Sequence, residues 1–371
     1  MKKALCAFFS LLIIFTSLPV FASGEKKEQG KADIVFTGDL LCLNAQLSSA
    51  GSGYNFNYVF DSVREDFLSS DLTVGNLETC LAGEKYGLTT PAVKTPVLND
   101  SGEQVFDENG KPLTKTSVLP KINAPISFGE ALKKAGYDFV VTANNHTMDR
   151  GNAGVALTVD ALDSLDITHT GTSKSGEDNI HVLNLNGIKV SILSYTMFLN
   201  SGNEAPASSY TVNIYSDARS KSDISKARQN GAEYIIVYMH WGDENKPVNA
   251  LQRQTAQKLA NAGADLIIGS HPHVLQTTEY FRSTVNNKKV LCVYSLGNFI
   301  SSMASEANKQ TISLHIRLRR WQSGKIDLSF AEYKPYYSGT RFSVSPASSA
   351  QKAKISTIMG ENLILCDKFR F

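Results

Sequence analysis

Polar clusters at the ends of apolar runs constrain this chain more than any other feature. From Ala32 onward, short apolar runs at 33–37, 72–75, 138–142, 190–195, 234–239 and 265–268 alternate with amphipathic segments. Those segments, at about 58–68, 126–135, 155–165, 223–230 and 250–262, have helical spacing. Strands this apolar, separated by helices, are buried on both faces and run parallel to their neighbours. The pattern predicts an α/β fold with a mostly parallel core. After Phe299 the helical pattern stops, and 310–318 and 325–333 read as antiparallel strands, so the C-terminal part is expected to be strand-rich. Between 86 and 124 the alternation is broken by Pro91, Pro96, Pro112, Pro120 and a turn at 107–110. That segment is expected to be an inserted loop or hairpin on the rim.

The N-terminus speaks to the compartment. Lys2 and Lys3 precede an apolar stretch from Ala4 to Phe15, then Pro19 and the triplet Val20-Phe21-Ala22. This is the pattern of a signal peptide over residues 1–22, cut after Ala22. If retained, the same stretch approaches the roughly 20 residues of a membrane anchor. The protein is therefore expected to be secreted or extracytoplasmic, held on the outer face of the cell membrane if the segment stays. Residues 23–31 are polar and glycine-bearing and read as a flexible linker; residues 32–371 are expected to form a single domain.

Removing Lys2 and Lys3 from a chain with 37 basic and 35 acidic residues leaves it formally neutral. No dense Lys/Arg run is present, so nucleic acid is not an expected partner. Cys42, Cys80, Cys292 and Cys366 lack the spacing of a disulfide scaffold or a metal knuckle and read as buried thiols. An oxidising compartment would allow a Cys42–Cys80 bridge, because both follow residues that should converge.

Convergence is expected because the strands run out into polar clusters at their C-terminal ends: Gly38-Asp39, Asn144-Asn145-His146, His240-Trp241-Gly242 and Gly269-Ser270-His271-Pro272-His273. The run Val74-Gly75-Asn76-Leu77-Glu78 delivers a carboxylate in the same way. In open parallel sheets the ligand crevice lies beyond those ends. The chain has 7 histidines, and His146, His240, His271 and His273 all fall in these clusters. Imidazole, carboxylate and amide oxygen together suit Mn, Fe or Zn rather than a thiolate-seeking metal. The His-Pro-His spacing suits two adjacent ions, which would activate water and clamp an anionic group. Taken singly, a Gly-Asp is often a turn or helix cap, and a strand-end histidine is often a hydrogen-bonded core residue. Their recurrence at successive strand ends favours a metal site. His169, His181 and His315 lie outside the clusters and read as structural or exposed; Trp241 is expected to pack under the site, and Tyr336 and Tyr337 to serve sheet packing.

The ordered motifs Phe36-Thr37-Gly38-Asp39, Gly75-Asn76-Leu77-Glu78, Ala143-Asn144-Asn145-His146 with Asp149 and Gly151, His240-Trp241-Gly242, Gly269-Ser270-His271-Pro272-His273-Val274-Leu275-Gln276 and Tyr294-Ser295-Leu296-Gly297-Asn298-Phe299 resemble the bacterial capsule-synthesis CapA family. Its members are also called poly-γ-glutamate synthesis proteins, and the resemblance runs over about 34–300. The family is similar to calcineurin-like metallophosphoesterases, which implies a four-layer αββα sandwich with a dinuclear site at one rim. By this resemblance Asp39 and His273 bind a first metal, Asn145, His240 and His271 a second, and Glu78 bridges them. His146 is implied as the outer-sphere acid, and Asn76, Asn144 and Asn298 as substrate-binding residues. The implied role is capsule or poly-γ-glutamate biosynthesis in the cell envelope. A divalent-metal phosphoesterase-like site would act there on an anionic polymer or a phosphorylated small molecule. The alternative is a non-catalytic metal-binding scaffold partnering a membrane polymer synthase. This sequence departs from the phosphoesterase pattern at Leu41, where a histidine is usual, and at Glu78, where aspartate is usual. It also has Asn245 after Glu244, where many family members have tyrosine. The departures bear on metal number and catalytic competence.

Overall fold

The computed structural model describes residues 27–371. The export segment expected over 1–22 lies outside the described residues, as does the first part of the linker.

In chain order, β1 (Glu28–Leu40), α1 (Asn44–Ala50), α2 (Arg64–Ser69) and β2 (Leu72–Leu77) open the fold. They are followed by β3 (Val93–Pro96), β4 (Thr114–Val118), α3 (Ile126–Ala135), β5 (Phe139–Val141), α4 (Gly151–Ser164) and β6 (Thr168–Thr170). The middle of the chain forms β7 (Leu183–Leu185), β8 (Ile188–Thr196), α5 (Asp217–Gln229), β9 (Tyr234–His240), α6 (Ala250–Ala262) and β10 (Leu266–Ser270). The remainder forms β11 (Leu275–Arg282), β12 (Lys289–Leu296), β13 (Asn298–Ile300), β14 (Gln310–Trp321), β15 (Ile326–Ser338), β16 (Val344–Pro346), α7 (Ser349–Met359) and β17 (Ile364–Leu365).

A 9-stranded sheet follows the path β16-β15-β14-β1-β2-β5-β6, with β13 beside β1 and β17 beside β15. Within it β1, β2, β5 and β6 are parallel, whereas β14 and β15 run antiparallel. A 6-stranded sheet has the order β11-β12-β10-β9-β8-β7, parallel in the centre and antiparallel at both edges. Side-chain alternation in β1 decides how the layers stack. Ile34 and Phe36 join Ile192, Ile236 and Ile268 in the core between the sheets, while Val35 faces Phe60, Phe67 and Leu132 on the helical side. On the far side, Val237 and Ile267 pack against Ile224 of α5 and Leu259 of α6. The result is the αββα sandwich that the resemblance implied, with a mostly parallel centre and a strand-rich C-terminal part.

Several local expectations are corrected. Residues 28–31, expected in a flexible linker, belong to β1: they pair with Arg319, Arg320 and Trp321 of β14, and Arg319 holds Glu28 at 3.0 Å. The segment 58–68 is not one helix. A short 3-10 turn at Asn57–Phe60 precedes α2, yet Val59, Phe60, Val63 and Phe67 still face a common core. α5 starts at Asp217 rather than near 223, because Ser216 Oγ accepts the Arg219 N–H at 3.2 Å as an N-cap. Helices also continue past Phe299. α7 is capped reciprocally by Ser348 and Gln351 and sends Ile355 and Met359 into the core between the sheets.

The inserted segment forms the β3–β4 hairpin, paired with neither large sheet, and exposes Val93 and Val118. The Cys42–Cys80 bridge is not formed; both are free, buried thiols. Cys80 Sγ points instead at the carbonyl oxygens of His146 and Thr147, at 3.6 and 3.5 Å. His315 is fully buried between Asp33 and Glu332, at 2.8 and 2.9 Å. Trp241 is buried and donates to the Tyr294 carbonyl at 3.0 Å.

Candidate metal centre

The strand ends meet because two backbone crossings leave no room for side chains. A Cβ on Gly38 would lie 1.8 Å from the Gly297 carbonyl oxygen, and one on Gly269 would lie 2.0 Å from that of Tyr294. Glycine at both positions lets β1 and β10 press against the chain leaving β12, which then crosses to the first sheet as β13. Asp39 is brought level with Asn76 of β2 and Asn298 of β13. His240 is brought level with Ser270 of β10.

Asp39, Glu78, Asn145, His240, His271 and His273 are all buried in one cluster. Asn145 Oδ1 lies 2.8 Å from His240 Nε2, and His271 Nδ1 lies 3.1 Å from the same nitrogen. His273 Nδ1 sits 3.1 Å from Asp39 Oδ2 and 2.9 Å from Asn298 Oδ1. Glu78 Oε1 has no hydrogen-bond partner and stands 3.6 Å from both His240 Nε2 and His273 Nε2. Glu78 with His240 and His271, and Asp39 with Glu78 and His273, place their ligand atoms within 4.8 Å of one another. Glu78 is common to both groups.

Electrostatics in the cluster fit a cation. Burial pushes His240 well below the ordinary imidazole range, with help from His271, His273 and His146, and it pushes His271 down to about 3. Both are therefore neutral, the form in which imidazole binds a metal. Glu78 is driven well above the usual carboxylate range by burial and then by the Asp39 charge beside it. Burial also pushes His273 down, but its hydrogen bond to Asp39 and that carboxylate's charge outweigh burial and hold it above the ordinary value. A buried orphan carboxylate oxygen beside neutral imidazoles is the donor set a divalent ion would satisfy. The backbone is strained at the same place: His271 is at φ +95° and His273 at φ +57°, conformations that non-glycine residues adopt only under constraint.

The remaining predicted residues surround this cluster. His146 Nδ1 is 2.7 Å from Asp149 Oδ2, and the same oxygen accepts the Ile122 N–H at 2.6 Å. Asn76 Nδ2 donates to Asp39 Oδ1 at 2.8 Å and Glu78 Oε2 at 3.3 Å, so its amide orients two carboxylates. Asn144 is buried, with Nδ2 on the Leu77 carbonyl at 2.8 Å and Oδ1 accepting the His146 N–H at 3.1 Å. Asn298 supports His273 through the contact above. The amides of Asn76 and Asn144 are thus committed to the protein's own groups.

Other participants were not singled out in the sequence. Asn200 joins Asn145 Nδ2 at 3.0 Å to His146 Nδ1 at 3.2 Å, and Asn203 donates to Asp149 Oδ1 at 2.9 Å. Both come from the loop after β8, where no motif marks them. Glu244, exposed, lies with His271 and His273 in a further group of ligand atoms within 4.8 Å. Its position just after His240-Trp241-Gly242 was the available signal. Beside Asp149 opens a cleft of about 520 Å³, lined by Thr116, Leu119, Lys121, Asp149, Asn200 and Asn203 among others. The inserted hairpin thus forms one wall of that cleft.

Among solved structures, the chain is similar to the NAD nucleotidase NadN of Haemophilus influenzae, at 12% identity and a TM-score of 0.43. That match covers 91% of this chain and 57% of the other. It is also similar to a putative 5'-nucleotidase from Staphylococcus aureus, at 10% identity and a TM-score of 0.44, covering 87% of this chain and 58% of that one. At these scores the layer order rests on this chain's own strand pairing. Among curated proteins it is 29% identical over 306 residues to "Capsule biosynthesis protein CapA" of Bacillus anthracis, covering 80% of this chain and 66% of that protein. It is 27% identical over 335 residues to "PGA biosynthesis protein CapA" of Bacillus subtilis (strain 168), covering 87% of this chain and 79% of that protein. The chain thus spans just under two thirds of the length of the Bacillus anthracis relative. The family model described as bacterial capsule synthesis protein PGA_cap matches residues 33–105 and 101–303, and the chain belongs to that family.

Proposed function

We propose that this protein works outside the cytoplasm in capsule or poly-γ-glutamate biosynthesis, as a divalent-metal hydrolase of the phosphoesterase type. The observation that carries the reading is the orphan Glu78 Oε1, buried 3.6 Å from Nε2 of both His240 and His273. Asp39, Glu78 and His273 would hold one ion; Glu78, Asn145, His240 and His271 would hold another. When bound, Mn, Fe or Zn would supply Lewis acidity toward a phosphoryl oxygen and activate water. The chain's own residues handle the rest. His146 is fixed at Nδ1 by Asp149, so Nε2 is the nitrogen that holds a proton for a leaving oxygen. Asp149 is itself pinned by Ile122 and Asn203, which holds the ring in position. The substrate is a phosphorylated small molecule or an anionic envelope polymer entering through the cleft beside Asp149.

Two measurements test this reading. Elemental mass spectrometry of the Ser23 to Phe371 domain should find one to two equivalents of Mn, Fe or Zn, reduced in a His271→Ala variant. Chelator-sensitive turnover of a generic phosphodiester should then fall in His146→Ala. Metal without any such turnover would favour a scaffold that partners a membrane synthase, a reading that Leu41 and Glu78 also support. Export is tested by N-terminal sequencing of protein recovered from the cell envelope: a start at Ser23 marks a cleaved signal peptide, and a start at Met1 a retained anchor.

A further inference from the structure

We infer that Glu244 is a metal ligand of this centre, closing over His271 and His273. The inference rests on the metal-centre reading proposed above and adds a residue to it.

Two residues after Asp39 stands Leu41, a buried hydrocarbon whose backbone N–H is bound to the Ile300 carbonyl at 2.9 Å. Of the His, Cys, Asp and Glu side chains among the described residues, Glu78 and His273 are grouped with Asp39, and Glu244 is grouped with His271 and His273. The Glu244 carboxylate lies within 4.8 Å of ring nitrogens of both His271 and His273. Donors of one ion, at bond lengths of about 2.0–2.2 Å, are at most about 4.4 Å apart. A small side-chain movement thus brings Glu244 into range, and its exposure leaves it free to make that movement.

The loop carrying Glu244 is anchored to the histidines it would join. The Asn245 N–H donates to the Pro272 carbonyl at 2.8 Å, between His271 and His273. Asn308 Nδ2 bridges Asn245 Oδ1 at 2.6 Å and the His273 carbonyl at 2.9 Å. Gln276 Nε2 holds the Lys246 carbonyl at 2.9 Å. Exposed carboxylates beside unrelated groups are common, but this one is fixed by its loop over the strained His271-Pro272-His273 turn. The independent sign that a cation belongs there is the unpartnered, fully buried Glu78 Oε1.

The test is a calorimetric titration of the chelator-stripped Ser23 to Phe371 protein with Mn²⁺ alone. Glu244→Gln should weaken one ion by more than the roughly 10- to 100-fold that loss of an outer-sphere partner costs. Glu244→Asp should recover part of the loss. Asp243→Asn serves as the charge control, because Asp243 is an exposed neighbour engaged with Asn249 at 2.8 Å. Thermal midpoints of all variants in chelator should match that of the parent, showing that the fold is intact. Unchanged Mn²⁺ binding in Glu244→Gln overturns this inference and leaves the metal centre standing. Equal weakening by Asp243→Asn also overturns it, by tracing the effect to net charge. A parent protein that binds no Mn²⁺ overturns the metal-centre reading and this inference together.

Discussion

His146 Nδ1 and Asp149 Oδ2 lie 2.7 Å apart, both buried, with His146 directly following Asn145, the amide proposed as a metal ligand. This pairing fixes which imidazole nitrogen faces the reacting groups. His146→Ala is expected to lower phosphodiester turnover by about 10²- to 10⁴-fold, the range of a lost general acid, while metal content stays at the parent value. Asp149→Asn should lower turnover less, because the ring keeps its place but loses the carboxylate that fixes Nδ1. Steady-state kinetics with metal analysis of the same samples checks both.

Glu78 is expected to tie metal to stability. A ligand that binds only the folded state at a hundredfold excess over its dissociation constant stabilises it by about 2.7 kcal/mol. Chelation should therefore lower the unfolding midpoint of the parent protein. Glu78→Gln should abolish the difference between chelated and metal-loaded samples, and should raise the midpoint of the metal-free form by removing a buried carboxylate from beside Asp39. Thermal denaturation with and without Mn²⁺ reads both effects.

Asp33 anchors a buried network far from the metal centre. Arg317 Nε and Nη2 reach its two oxygens at 2.6 and 2.9 Å, and His315 Nε2 reaches Oδ1 at 2.8 Å. Burial alone would raise this carboxyl, but His315 and Arg317 outweigh burial and hold it well below the usual range. A depressed folded value contributes stability above the unfolded pKa of about 3.9, and that stability is lost as pH falls below it. Urea midpoints between pH 7 and pH 2 should show this acid loss in the parent and a flatter profile in Asp33→Asn. At pH 7 the variant should lose about 3–5 kcal/mol, the cost of leaving a buried partner charge uncompensated.

The crossing at Gly38 gives a purely steric prediction. A Cβ there would meet the Gly297 carbonyl oxygen at 1.8 Å, whereas one on Gly53 would meet nothing within 4 Å. Gly38→Ala should destabilise by more than about 4 kcal/mol or prevent folding, and Gly53→Ala should stay within about 0.5 kcal/mol of the parent. Chemical denaturation of the pair distinguishes a steric requirement from general intolerance of alanine.

The sequence by itself showed a mostly parallel core whose strands run out into Asp39, Glu78, Asn145, His146, His240, His271 and His273, while the four-layer arrangement came only through the family resemblance. Strand alternation and the parallel-sheet rule are local, and they send every strand's C-terminal polar residues to one rim. Residues whose roles depend on distant partners were not legible. The start of β1 at Glu28 needed Arg319, and α7 was not read from the sequence because it buries only Ile355 and Met359. Asn200, Asn203 and Glu244 sit in loops without periodicity. Their importance arises where side chains far apart in sequence meet, as Asn200 meets His146 and Asn203 meets Asp149. Tertiary structure also turned Asn76 and Asn144 inward and left Cys42 and Cys80 unbridged, because side-chain direction follows from packing that spacing along the chain does not encode.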